Sequence, residues 1–158
     1  MFDACTETSA VADEVAAVRA VIDLAHQAWT AGDGKSYAGC FTAETVDTAF
    51  FGLCRDGRAA NAELHGALFQ FAAKGVAASA EIDAIEWLGD DSALVRTASG
   101  GAASGYQTYL MVRRGGAWLI RSFHHTPVNR IATWAACRLR EAQLRSLPFM
   151  RGERGITG

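Results

Sequence analysis

The last apolar run of the chain closes on RSFHHTP, Arg121 to Pro127, with two adjacent imidazoles ahead of a proline. Histidine changes charge near neutrality, which makes His124 and His125 candidates for general base, general acid or metal ligand. Successive side chains of an extended run point to opposite faces, so only one of the two enters a given pocket. His65 is the one histidine placed to converge with His125 on a metal. No H-x-H lies on one strand face and no His/Glu pair falls four apart, so a three-ligand site is not indicated and no metal is expected. Cys5, Cys40, Cys54 and Cys137 are scattered with no C-x-x-C, which argues for packed thiols rather than a zinc knuckle or redox pair. With neither a dinucleotide fingerprint nor a flavin motif, no cofactor is expected.

These residues need elements to hold them. Residues 1–10 are polar and aperiodic and read as a loose arm. From Val11 the apolar residues Val15, Val18, Val21, Ile22, Ala25 and Trp29 recur at helical spacing, and His26 sits among them as a packed or surface residue. Ala31-Gly32-Asp33 then stops this helix and opens a short one over about 35–41: Gly permits a left-handed terminus, and Asp33 caps the next start. VDTAFFGL, Val46 to Leu53, suits a strand, and a third helix is expected over about 59–73. Extended segments near 76–88, 92–99, 105–114 and 117–126 are separated by glycine turns, as in an antiparallel meander. A last amphipathic helix, about 131–147, carries Ile131, Trp134, Ala135 and Leu139 on one face and arginines on the other.

Length and composition bound the possibilities. The chain has 158 residues, 50% of them apolar and 20% charged, enough for one core in one domain. Its formal charge of -2 gives no global attraction to nucleic acid or an anionic membrane. No apolar run approaches the roughly 18 residues that span a bilayer, and the acidic start is unlike a signal peptide, so a cytoplasmic location is expected. Helices followed by a twisted meander make an α+β fold with helices on one sheet face. Apolar residues at both parities in VRTAS and YLMV call for cover on the second face as well, and another copy of the subunit supplies it most simply.

AWTAGDGKSYAGCFTAET, Ala28 to Thr45, and QTYLMVRRGGAWLIRSFHHTPV, Gln107 to Val128, resemble the nuclear transport factor 2-like superfamily. Within it the chain is most similar to the SnoaL-like branch of SgcJ/EcaC type. The resemblance covers about residues 11–128 and implies a cystatin-like cone: a curved sheet wrapped around three helices, with an apolar cavity and a homodimer formed through the sheet. It leaves residues 1–10 as the arm and 129–158 as an extra C-terminal helix and tail. It also implies no metal or organic cofactor.

The superfamily's chemistries can be laid over this chain. A ketosteroid isomerase-like mechanism places a tyrosine at Ala25, a base near Ala49 and a buried acid near Thr108, and all three are missing. Limonene-epoxide hydrolase-like chemistry needs an Asp-Arg-Asp set; Arg121 fits, but its acidic partner falls at Phe123. The same overlay points Thr108, Leu110 and Val112 inward, with Leu119, Arg121, Phe123 and His125, leaving His124 outside. His125 is then the leading proton-transfer group, with His65 or Asp47 as partner and Thr108 or Tyr37 orienting an oxygen. Trp29, Tyr37, Phe50, Phe69, Thr108, Leu110, Arg121 and Phe123 are the expected substrate contacts, since flat apolar ligands bury area on aromatic faces. Two functions remain open: cyclisation, isomerisation or hydration of a hydrophobic polyketide or other natural-product intermediate, and noncatalytic sequestration of such a molecule.

Overall fold

A computed structural model describes residues 4–48, 52–71, 80–99, 105–128, 131 and 134–139. The chain divides into two compact units, Met1–Pro127 and Val128–Gly158. In the first, α1 (Ala4–Ala31), α2 (Gly34–Gly39), β1 (Phe41–Thr48), β2 (Cys54–Asp56) and α3 (Arg58–Phe71) precede β3 (Glu81–Gly89), β4 (Ser92–Ser99), β5 (Gly105–Arg114) and β6 (Ala117–Pro127). In the second, residues 131 and 134–139 are helical. No helix among the described residues is long and apolar enough to cross a membrane.

The architecture is α+β. One six-stranded sheet runs β2-β1-β6-β5-β4-β3, antiparallel throughout except where β1 pairs parallel with β6. Val18, Ile22, Ala25 and Ala28 of α1 lie on one stripe because their spacings follow the helical period. They pack against Phe41, Ala93, Val95, Tyr109, Met111, Trp118 and Ile120 on the inner sheet face. Glu14 of α1 fastens that helix to the β5–β6 hairpin, accepting from Trp118 Nε1 at 2.7 Å and pairing with Arg113 at 2.5 Å.

The AGD turn forms as its residues dictate. Gly32 adopts φ +72°, the left-handed conformation that closes α1, and Asp33 N donates to Ala28 O at 2.9 Å. Asp33 Oδ1 then accepts from the backbone N–H groups of Lys35 and Ser36, so α2 starts on a capped end.

Three sequence expectations require correction. Residues 1–10 are not all a loose arm, since α1 is helical from Ala4; Ala, Thr and Glu there sustain a helix whose apolar stripe begins only at Val11. The first strand starts at Phe41, not Val46, because α2 ends at Gly39 and Phe41 pairs with Ile120. Inward parity also differs on β5 and on the part of β6 up to Arg121, while Phe123 and His125 face inward as expected. On β5 the buried positions include Gln107, Tyr109 and Met111, while Thr108 and Leu110 occupy the opposite face. On β6, Trp118 and Ile120 face the core before Arg121, whereas Phe123 and His125 do so after it.

A bulge explains that switch. Leu110 pairs with Ser122 and Met111 with Ile120, so Arg121 is an extra residue and the alternation inverts across it. β1 has its own irregularity between Phe41 and Val46, and the two are pinned together by Arg121 Nη1 donating to Glu44 O at 2.5 Å. Leu119 and Arg121 therefore leave the inward row that an unbulged strand would give them. Phe50 and the expected strand start at 76–79 lie outside the described residues, as do 140–147 of the last helix.

Candidate functional site

The bulge in β1 leaves Thr45 and Asp47 on the inner face, where α3 covers them. Asp47 is 2% exposed, a rare position for a carboxylate. Its Cα neighbours are Arg55 on β2 and Phe123 on β6. Two polar residues of α3 meet it. Asn61 and His65 are four apart, hence on one face of the helix, and both are buried.

Asn61 Nδ2 donates to Asp47 Oδ2 at 2.7 Å. The imidazole is oriented by its own helix, with Nδ1 2.9 Å from Asn61 O. A carbonyl only accepts, so Nδ1 carries the proton and the neutral ring turns its Nε2 lone pair to Asp47 Oδ2, 3.9 Å away. Burial pushes the Asp47 carboxyl up to about 7 and the His65 imidazole down from its ordinary value, the latter opposed in part by the bond to Asn61. Both shifts favour uncharged forms. The result is a carboxyl that gains and loses its proton close to neutrality beside a base with an available lone pair, the protonation behaviour that general acid–base chemistry needs.

Aromatic rings enclose the imidazole. Tyr37, Trp29 and Phe69 have ring centroids 4.3, 5.5 and 5.9 Å from that of His65. Tyr37 reaches it because α2 and α3 approach closely: a Cβ on Gly34 would fall 2.7 Å from Gly66 N and 3.2 Å from Ala62 O. Desolvation holds the Tyr37 phenol well above its ordinary range, and the nearby Asp47 charge adds to this, so Tyr37 keeps its proton. Tyr109 behaves alike. Its ring packs tilted against Phe123 with centroids 5.0 Å apart, and its hydroxyl lies 3.3 Å from His26 Nε2. Its pKa is raised by burial and by Asp47 against a lowering bond from Thr97.

Four buried polar atoms here have no hydrogen-bond partner among the described residues: Thr42 Oγ1, Thr45 Oγ1, Asp47 Oδ1 and Asn61 Oδ1. Each such atom costs about 1–3 kcal/mol when left dry. Asp47 and Asn61, joined through Nδ2 and Oδ2, each keep one such acceptor oxygen.

No protein-family model and no curated protein matches the chain. Solved structures do. A protein with a cystatin-like fold from Nostoc punctiforme superposes with a TM-score of 0.66 at 20% identity, covering 85% of this chain and 98% of its own. A ketosteroid isomerase-like protein from Erwinia carotovora atroseptica gives 0.66 at 19%, covering 73% and 97%. A nuclear transport factor 2-like protein of unknown function from Shewanella oneidensis gives 0.58 at 17%, covering 72% and 98%. The chain has the cystatin-like, nuclear transport factor 2-like fold.

On this nuclear transport factor 2-like frame the expected site residues separate into groups. Asp47, His65, Tyr37, Trp29 and Phe69 come together, and Phe123 joins them as the strand neighbour of Asp47. His125 is half-buried on the same face two residues beyond Phe123, with Gln107 as its cross-strand neighbour, and burial lowers its pKa. His124 is exposed on the other face beside Thr108. Thr108 and Leu110 line the outer sheet face, and Arg121 is spent on the bulge contact. The imidazole that the fold sets beside Asp47 is thus His65.

Asn61, Thr45 and Tyr109 were not singled out in the sequence. Asn61 had a usable signal, being a polar residue one helical turn before His65 on the same face. Among the described residues no three His, Cys, Asp or Glu side chains stand together as metal ligands.

Proposed function

We propose that this protein takes a small, largely apolar molecule into the interior of the cone and moves a proton on or beside it with Asp47, assisted by His65. One observation carries the reading: a carboxyl that is 2% exposed, pushed by burial up to about 7, and 3.9 Å from an imidazole inside an aromatic enclosure. A purely structural carboxylate gains nothing from a pKa at neutrality, whereas a proton carrier works best there. Tyr37 supplies a protonated donor for an oxygen that becomes negative, and the rings supply apolar area. The resemblance of Ala28–Thr45 and Gln107–Val128 to the SnoaL-like branch makes a polyketide or related natural-product intermediate the first substrate class to try, handled in the cytoplasm without a cofactor. Cyclisation, isomerisation and hydration all fit a single proton carrier. The expected homodimer rests on the outer face, where Leu94 and Leu110 neighbour each other and Tyr106 is exposed; sedimentation equilibrium tests it.

Decalin-sized β,γ- and α,β-enones test the chemistry in one absorbance assay, because isomerisation creates the conjugated chromophore and hydration removes it. Asp47→Asn is expected to slow either reaction by about 100-fold or more while leaving affinity for the enone nearly unchanged. Equal turnover by wild type and Asp47→Asn would sink the proton-transfer reading. Dependence on Trp29 and Phe69 alone, with no turnover in wild type, would leave a sequestering protein instead.

A further inference from the structure

Three of the unpartnered atoms, Thr45 Oγ1, Asp47 Oδ1 and Asn61 Oδ1, belong to residues no more than 2% exposed on β1 and on the helix α3 that packs against it. Thr45 and Asp47 are two residues apart on β1, so their side chains leave the same face about 7 Å apart at the backbone. Asn61 is already joined to Asp47 through its amide nitrogen. That bond fixes the orientation of the amide and leaves its oxygen as a pure acceptor. An ionised Asp47 is likewise a pure acceptor at Oδ1, and the Thr45 hydroxyl is able to donate.

Two acceptors and one donor are the complement of a single water molecule, which gives two protons and takes one. Buried waters typically make about three such bonds to groups that would otherwise go unsatisfied. A carbon acid on a ligand would serve only the carboxylate and would leave Thr45 and Asn61 unsatisfied. Direct abstraction of a proton from carbon therefore fits these residues less well than abstraction from water.

We propose that Thr45, Asp47 and Asn61 hold one water molecule and that this water, deprotonated by Asp47, is the nucleophile that adds to a carbonyl-conjugated alkene of the ligand. The inference rests on the proton-transfer role of Asp47 and narrows the reaction to hydration. The water oxygen forms a bond to the β-carbon, and the alkene π pair moves onto the carbonyl oxygen as an enolate. The water's proton passes to Asp47 Oδ1. The α-carbon then takes that proton as the enolate collapses, regenerating the carbonyl and the carboxylate. One H₂O has been added across C=C, with no oxidant or reductant. Tyr37, whose ring centroid lies 4.3 Å from that of His65, keeps its proton and is a donor suited to the enolate oxygen.

The test combines a crystal structure of the full chain with turnover of the decalin-sized α,β-enone in H₂¹⁸O. The wild type is expected to show an ordered water within hydrogen-bond distance of all three atoms and to place ¹⁸O on the β-carbon. Thr45→Val, checked for native melting, is expected to lose this water and about 10-fold or more in labelling rate, and Thr45→Ser to restore both. A side chain in place of the water, or a wild type that leaves the β-carbon unlabelled, overturns the hydration. If the double bond then still shifts at an Asp47-dependent rate, the proton-transfer reading survives; if Asp47→Asn matches wild type, that reading is what has failed.

Discussion

Replacing Asp47 by Asn should make the folded protein progressively more stable, relative to wild type, as pH rises. The Asp47 carboxyl is raised from its ordinary 3.8 to about 7 by burial. Between those values the native state holds a proton there that the unfolded chain has released, so this group's stabilising contribution is complete below its unfolded pKa and is lost as pH climbs through its folded one. A window of about three pH units, at about 1.4 kcal/mol each, amounts to about 4 kcal/mol. His65 acts in the opposite sense. Its lowered pKa means that the unfolded chain takes up a proton first as pH falls, removing stability on the acid side. The two groups tilt the wild-type curve in opposite senses, so the comparison has to be the difference between variant and wild type. Asn is nearly isosteric, and its carbonyl can still accept from Asn61 Nδ2. Urea unfolding of both proteins at a series of pH values from about 4 to about 8 reads that difference directly. It should grow by about 4 kcal/mol across the series, in favour of Asp47→Asn. A flat difference, or one that shrinks as pH rises, would mean that Asp47 is already ionised in the fold and would refute the reasoning.

Other perturbations follow from the same geometry. Gly34→Ala should cost about 1–3 kcal/mol in chemical unfolding, because its Cβ meets the Gly66 backbone at 2.7 Å; a cost below about 0.5 kcal/mol would show that the α2–α3 contact yields easily. Asn61→Leu removes the donor to Asp47 Oδ2, and the Asp47 titration should move higher still, with lower stability at alkaline pH; an unmoved midpoint would show that the 2.7 Å bond does not hold the carboxylate. Phe69→Ala, at a site 4% exposed against Trp29 and His65, should cost about 3–5 kcal/mol and lower the melting temperature, and a loss under about 1 kcal/mol would show that the ring cluster collapses around the gap.

Much of the frame was legible in the chain because its signals are local. Gly32 and Asp33 announce a helix stop and a cap within two residues, and β4 and β5 begin and end where glycine turns and alternation place them. The inward row on β5 was not legible. Its register depends on pairing with β6, where Arg121 is inserted as a bulge, and a bulge has no signature in a sequence that carries neither Gly nor Pro at that point. The parallel pairing of β1 with β6 is a contact between residues more than 70 positions apart, beyond any periodicity along the chain. For the site, Asp47 and His65 could be named as residue types able to carry a proton. That they form one pair follows from α3 lying over β1, and Asn61 acquires its role only from that contact.

The central claim is that Asp47 carries a proton near neutrality inside the cone. Titration of its side-chain carboxyl carbon by ¹³C NMR, assigned by comparison with Asp47→Asn, measures this most directly. The expected midpoint is about 7, and one near the ordinary 3.8 of an exposed aspartate would show that Asp47 is ionised throughout the neutral range.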